Sequence, residues 1–141
     1  MVMHTEASDI AQICRLYEEW TKEKVDLRET ETVHNDLRTV MVKDKEKDEI
    51  VGAAQLLVID DAIWNRRWGL VLNLYVGQSV RRKNIGRELM QLLWQEAEFL
   101  GCDFISLSTG QEASKQFFRA VGLHEWGTTF CLGKSELPVY E

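Results

Sequence analysis

Proline is almost absent from this sequence, because Pro138 is its only proline in 141 residues. There is also no stretch rich in Gly, Ser and Pro, and no internal repeat. The chain therefore offers no candidate linker, and we predict a single domain over residues 1–141, which is long enough to enclose one sizeable core. An apolar fraction of 45% and a charged fraction of 28% favour an ordinary globular protein over a disordered or fibrous one.

Cysteine is scarce and unpaired in the sequence. Cys14, Cys102 and Cys131 are odd in number, widely spaced and form no CxxC pair. This pattern argues against a disulfide framework and against a zinc site, and it favours a reducing cytoplasm. We expect no metal, and we predict that Cys131 packs in the core as a small hydrophobe.

Long apolar runs are missing too. None approaches the ~18–20 residues that a membrane-spanning helix needs. The first six residues lack the basic and apolar regions of a secretory signal. We therefore expect a cytoplasmic protein that does not contact a membrane.

Positive charge is in deficit, with a formal net charge of −6. Nucleic acid is not an expected partner, because neutralisation of phosphates dominates that kind of binding. An acidic surface weakly favours cationic partners such as amines. The short basic cluster Arg81–Lys83 stands out against this background.

Periodicity predicts a mixed α/β sheet with helices on both faces. Ser8 is a candidate N-cap for the first helix, and Gly101 and Gly122 are candidate helix terminators. The predicted elements are, in chain order, a helix over residues 8–20, a shorter helix Leu27–Met41, a strand Glu49–Ile59, a loop Asp60–Gly69, a strand Leu70–Val76, a helix Ile85–Leu100, a strand Phe104–Leu107, a helix Gln111–Val121 and a strand Thr128–Leu132.

The segment from Leu74 to Arg87 carries the most chemical information. It is predicted to be a strand, then a short basic loop, then a helix with Gly86 in its first turn. The first N–H groups of a helix have no internal partners and carry the positive end of its dipole, so they can bind an anion such as a diphosphate. The alternative is a solvated basic turn that caps an ordinary helix, since short glycine motifs often occur by chance.

Three segments of the sequence resemble the GNAT family of N-acetyltransferases. Its signature Q/R-x-x-G-x-G/A corresponds to Arg81-x-x-Asn84-x-Gly86, and the opening Thr5–Ile10 resembles the entry to its first helix. Its segment N-x-x-A-x-x-F-Y-x-x-x-G-F corresponds to Gln111-x-x-Ser114-x-x-Phe117-Phe118-x-x-x-Gly122-Leu123. The matches occur in the family's order and span nearly the whole chain.

This resemblance implies a mostly antiparallel central sheet that is splayed at an acyl-CoA site, with helices on both faces. It implies an acyl-CoA-dependent N-acyltransferase that moves acetyl from acetyl-CoA to a primary amine of a small molecule or peptide, by direct attack in a ternary complex. A homodimer is also expected. The first alternative is a catalytically silent acyl-CoA-binding regulatory domain of the same fold, and the second is a nucleotide-binding α/β module.

The resemblance also implies which residues bind acyl-CoA. The backbone of Leu74, Tyr75 and Val76 is expected to pair with the pantetheine arm, and one face of the later helix is expected to look toward the cofactor. The residues expected to hold the diphosphate are Arg81, Arg82, Lys83, Asn84, Ile85, Gly86 and Arg87. The residues expected on the helix face are Gln111, Ser114 and Phe118.

Several positions depart from the family pattern and leave the catalytic groups open. Asn84 replaces the first signature glycine, although asparagine tolerates a positive φ better than most residues. Phe118 replaces the tyrosine that often protonates the departing thiolate, so Ser114 and Tyr75 are the candidate acids. Asn73 stands where some relatives place an acidic residue, and an amide cannot act as a base. The further candidates for proton transfer through water are Ser108 and Thr109.

Acidic side chains are the candidates for binding a cationic acceptor. Glu29 and Glu31 lie near the family's acceptor-binding region, whereas Asp60 and Asp61 lie in the predicted loop. Solvated surface carboxylates are the alternative for all four. The Trp64–Trp68 segment predicts a subunit interface, an acceptor lid or a plain hairpin tip.

Overall fold

The computed structural model of the protein describes residues 7–24, 37–44, 46–81 and 84–127. The chain divides into two compact units after Leu107. The first unit contains α1 (Ala7–Thr21), β1 (Leu37–Lys43), β2 (Ile50–Asp61), β3 (Arg66–Val76), a 3-10 turn (Gln78–Val80), α2 (Ile85–Phe99) and β4 (Phe104–Ser106), and the second contains α3 (Glu112–Ala120). Within these ranges no helix is long and apolar enough to cross a bilayer. Organisation as a single domain stays a prediction.

The first unit is built on a four-stranded sheet in the order β1-β2-β3-β4. The β1–β2 and β2–β3 pairs are antiparallel, and β3–β4 is parallel. The predicted mixed, mostly antiparallel sheet is thus confirmed.

The helices α1 and α2 cover opposite faces of this sheet. Gly52 and Ala53 are neighbours on β2, so their side-chain positions point to opposite faces. A Cβ on Gly52 would lie 3.0 Å from Ile85 Cγ2 and 3.0 Å from Leu89 Cδ1, both on α2. Ala53 belongs instead to the buried cluster that includes Ile13 and Tyr17 of α1. The missing side chain at Gly52 therefore lets the first turns of α2 approach the sheet closely.

The structure contradicts two predicted elements, the first of them over its described residues 37–41. The predicted helix Leu27–Met41 ends in strand β1, where Val40, Met41 and Val42 are all buried. Three consecutive buried residues suit a strand that is covered on both faces, and valine favours strands. Residues 27–36 lie outside the described part of the chain.

The predicted loop Asp60–Gly69 is instead the end of a long β-hairpin. Pairing continues to Asp61 opposite Arg66, and only residues 62–65 form the turn. Asp61 Oδ1 accepts hydrogen bonds from the backbone N–H groups of Ile63 (3.0 Å) and Trp64 (3.3 Å). Hydrogen bonding of this kind stabilises a tight turn. The charged residues on either side of the turn led the sequence pattern to predict a loop instead of a hairpin.

The remaining described elements confirm the predicted types, with ends that differ by a few residues. Ser8 lies inside α1 rather than before it. Gly101 has a φ of 76° and Gly122 a φ of 100°, which confirms both as helix terminators in the left-handed region. The predicted strand Thr128–Leu132 and the predicted burial of Cys131 lie outside the described residues.

Candidate functional site

The C-terminal half of β3 has a hydrogen-bonding edge that β4 does not cover. Parallel pairing joins Trp68–Leu70 to Phe104–Ser106 and goes no further, whereas β3 continues to Val76. Along the same half, β3 remains paired with β2 on its other side. The backbone of Leu74–Val76, which the family resemblance assigned to the pantetheine arm, thus lies on an edge of β3 that no strand pairs with among the described residues.

A β-bulge lies in β3 immediately before this segment. Ala53 pairs with Tyr75 and Gln55 with Leu72, so Ala54 alone faces both Asn73 and Leu74. Asn73 has a φ of 52°, and its Nδ2 donates to Gln55 Oε1 at 2.9 Å. A bulge bends the strand and increases its twist, which helps it to diverge from β4.

Tyr17 of α1 is hydrogen-bonded to the backbone of this bulge. Its hydroxyl donates to the Asn73 carbonyl oxygen at 2.6 Å. Burial raises the pKa of Tyr17 well above its ordinary value, so the hydroxyl remains a donor across the neutral range. No spacing pattern in the sequence predicts this contact.

At its end, β3 turns its last carbonyl toward Arg81. The Gly77 N–H donates to the Val51 carbonyl on β2 at 2.8 Å. In an antiparallel pair, the N–H and C=O groups of successive residues point alternately toward and away from the neighbouring strand. Since the Gly77 N–H points toward β2, the N–H and C=O of Val76 point away from it. The Val76 oxygen accepts a hydrogen bond from Arg81 Nε at 3.3 Å. Arg81 therefore folds back over the end of the strand.

The first turn of α2 presents backbone N–H groups that no side chain caps. Asn84 precedes the helix with a φ of 63° and a ψ of 17°, and its side chain makes no capping hydrogen bond. The first intrahelical bond is from the Glu88 N–H to the Asn84 carbonyl at 3.1 Å. The N–H groups of Ile85, Gly86 and Arg87 have no acceptor within the helix.

The left-handed backbone of Asn84 confirms the expected positive φ at this position, and its part in cofactor binding stays a prediction. Arg87 is exposed on the first turn of α2. Arg82 and Lys83 lie outside the described residues, and their role stays a prediction.

Tyr75 is buried on the α1 face of the sheet and is 5% exposed. Its hydroxyl donates to Glu19 Oε2 at 2.7 Å, and its ring stacks on Trp20 at 5.2 Å between centroids. Burial, and then the Glu19 carboxylate, raise the pKa of Tyr75 above its ordinary value. The phenolic proton is directed at Glu19, so a role for Tyr75 as an acid toward another group stays a prediction.

Asp60 and Asp61 lie at the other end of the hairpin from Leu74–Val76. Asp60 Oδ1 accepts from Arg67 Nε at 2.6 Å, and Asp61 holds the turn. The residues opposite them are about eight positions before Leu74–Val76 on β3, which is roughly 25 Å along a strand. The structure thus does not bring them together with that segment. Glu29 and Glu31 lie outside the described residues.

The second unit supplies the local geometry of the later motif. Gln111 directly precedes α3, and its N–H donates to Thr109 Oγ1 at 3.3 Å. Ser114 and Phe118 are one turn apart on α3 and half-buried, so they share a helix face as predicted. Their role stays a prediction, and the same holds for Ser108 and Thr109.

If the cations around α2 bind phosphates, acetyl-CoA affinity should fall as salt rises. Salt screens exposed charges from one another, and the screening length falls to about 8 Å at ~0.15 M ionic strength. Calorimetry at several salt concentrations checks this, with acetyl-pantetheine, which lacks phosphates, as the salt-insensitive control.

Dephospho-CoA should bind more weakly than CoA if Arg81 or Arg87 reaches the 3′-phosphate. Equal affinities would remove the 3′-phosphate from the site, and salt-independent binding would contradict phosphate recognition.

Comparison with known proteins identifies one family for this chain and many solved structures with a similar fold. The model of the acetyltransferase (GNAT) family matches residues 5–123. The chain shows no significant sequence match to a curated protein.

Three solved structures illustrate the similarity of fold. An acetyltransferase from Trypanosoma brucei has a TM-score of 0.78 at 20% identity, with 94% of this chain and 98% of that chain covered. Glucosamine-6-phosphate N-acetyltransferase from Arabidopsis thaliana has a TM-score of 0.78 at 14% identity, with 95% and 97% covered. An aminoglycoside acetyltransferase from an uncultured soil metagenomic sample, in complex with sisomicin, has a TM-score of 0.75 at 16% identity, with 94% and 95% covered.

Proposed function

The chain belongs to the GNAT acetyltransferase family, and from that membership we propose that it is an acyl-CoA-dependent N-acyltransferase. It transfers acetyl from acetyl-CoA to a primary amine of a small molecule or peptide. One observation carries this proposal most of all: the edge of β3 that β4 leaves unpaired is followed, after residues 77–84, by the N-terminus of α2, which its N-cap side chain leaves uncapped.

The two halves of this feature suit the two halves of the cofactor. The pantetheine arm contains amide groups, which can pair with a free strand edge as an added strand does. A diphosphate suits helical N–H groups at the positive end of the dipole, and Arg81 precedes the first of them by four residues in the chain. Acetyl-CoA, when bound, supplies the thioester carbonyl that the amine attacks.

The reaction needs a base for the amine and a proton for the leaving sulfur. An ammonium group cannot attack, so a proton must leave it, to water or to a side chain. Asn73 cannot accept that proton, and the Tyr75 hydroxyl is hydrogen-bonded to Glu19. Ser114 remains our candidate donor to the sulfur, on the basis of the family resemblance.

A screen for CoA release over amines, amino acids, amino sugars and aminoglycosides tests the proposed function. Two structural neighbours support the choice of panel, since their names give glucosamine-6-phosphate and an aminoglycoside as substrates. Acetyl-CoA binding without thiol release on any amine would instead favour the silent ligand-binding domain. The homodimer and the cytoplasmic location stay predictions.

Ser114→Ala is expected to lower the turnover number with little change in acetyl-CoA affinity. A lost general acid costs at most about 10²–10⁴-fold, and water can recover part of that. Phe118→Tyr should maintain or raise turnover, because a phenol restores the usual acid of the family. Steady-state CoA release with any acceptor from the screen measures both. If Ser114→Ala leaves turnover untouched while Phe118→Tyr raises it many-fold, the natural enzyme works without a side-chain acid.

A further inference from the structure

We propose that Glu19 of α1 is a positioning residue that sets Arg81 for the phosphates of the cofactor, acting through Tyr75. The proposal deepens the proposed function and rests on it. None of the three segments that resemble the family includes Glu19.

The Glu19 carboxylate joins α1 to both sides of the turn that follows β3. Oε2 accepts from the Tyr75 hydroxyl at 2.7 Å and from the Gln78 backbone N–H at 3.3 Å. Tyr75 is the penultimate residue of β3, and Gln78 begins the 3-10 turn. A single oxygen thus fixes the end of the strand relative to the start of the turn that leads to Arg81.

Tyr75 transmits this restraint to Arg81. The Arg81 guanidinium carbon lies 5.5 Å from the centre of the Tyr75 ring, while Arg81 Nε donates to the Val76 carbonyl. A guanidinium over an aromatic face is attracted by the negative charge of the ring's π-electrons. Trp20, the neighbour of Glu19, stacks on the same tyrosine with an angle of 10° between ring planes. The ring is thereby held in one orientation, and so is the cation over it.

The charge of Glu19 makes this role surprising and testable. A carboxylate near a polyanion weakens binding by repulsion, so its removal alone should strengthen acetyl-CoA binding. A positioning role predicts the opposite for any variant that also removes the hydrogen-bond acceptor. Glu19→Gln keeps an amide oxygen for Tyr75 and Gln78 but loses the charge, whereas Glu19→Ala loses both.

Calorimetry with acetyl-CoA is the decisive measurement. Glu19→Ala should weaken binding about fivefold to tenfold, the factor that corresponds to one ordinary net hydrogen bond. Glu19→Gln should bind as well as the natural protein or better. In an Arg81→Ala background, Glu19→Ala should cause no loss of affinity and should match or exceed the affinity of Arg81→Ala alone, because the residue it positions is gone and the repulsive charge is removed. Glu98→Ala, which removes an exposed carboxylate from α2, is the matched control and should leave affinity unchanged.

Three results would overturn the positioning role: tighter binding by both Glu19 variants, unchanged affinity in Glu19→Ala, or equal losses from Glu19→Ala with and without Arg81. A readout without cofactor separates this from the proposed function. The Arg81 Nε–H resonance of the ligand-free protein should be displaced by the Tyr75 ring and should move to the position of a free arginine in Glu19→Ala. If the natural protein does not bind acetyl-CoA, the proposed function fails, and this resonance still decides whether Glu19 holds Arg81.

Discussion

Gly86→Glu is expected to abolish acetyl-CoA binding, with a loss of at least about 100-fold, while the protein stays folded. Gly86 is the second residue of α2, among the three N–H groups that have no acceptor in the helix. A carboxylate there would occupy the space that a phosphate needs and repel it. A glutamate in the first turn is favourable for the helix itself, because it complements the dipole.

Calorimetry with acetyl-CoA, together with circular dichroism, checks this expectation. Gln95→Glu is the matched control, since it adds the same charge to an exposed position on the same helix. Gly86→Ala should fold at least as well as the natural protein and lose less affinity than the glutamate variant. Unchanged affinity in a folded Gly86→Glu protein would remove the phosphates from the start of α2.

Leu89→Ala is expected to lower the free energy of unfolding by about 2–5 kcal/mol, the range for a buried leucine replaced by alanine. Leu89 is fully buried, and its Cδ1 would lie 3.0 Å from a Cβ on Gly52. The substitution leaves a cavity between the sheet and the first turns of α2, where the surrounding helix and strand cannot collapse fully.

Urea unfolding gives the size of this effect. Leu92→Ala on the same helix is the comparison. Leu92 is only partly buried, so its replacement should lower the free energy of unfolding by clearly less. Below the unfolding midpoint, Leu89→Ala should retain acetyl-CoA binding, since it removes no group from the N-terminus of α2. Equal losses for the two leucines would show that α2 does not pack on the sheet as described.

Local sequence determined the elements whose patterns are strong and self-contained. The apolar stripe of α2 ends at Gly101, whose φ of 76° suits glycine, and the aliphatic runs of β2 and β3 have no competing periodicity. The turn that we propose binds an anion was predictable for the same reason. A strand, a short loop with Asn84 at a positive φ and a helix start are all local properties of consecutive residues.

Tertiary packing decided the elements that the pattern misassigned. The segment ending in Met41 became a strand because the core covers both faces of β1, which no local period records. Asp60 and Asp61 were predicted to lie in a loop, yet the hairpin continues through them, paired with Arg67 and Arg66.

Local sequence was thus enough to predict which residues form the turn that we propose binds phosphates, since the backbone N–H groups of one helix start are close in the chain. What holds that turn in place depends instead on packing between distant parts of the chain. Glu19 meets Tyr75 and Gln78, and Tyr17 meets the Asn73 carbonyl, across more than fifty residues of chain. Such contacts leave no spacing rule in the sequence. They form because α1 packs on the sheet face where the bulge in β3 turns its backbone and side chains toward it.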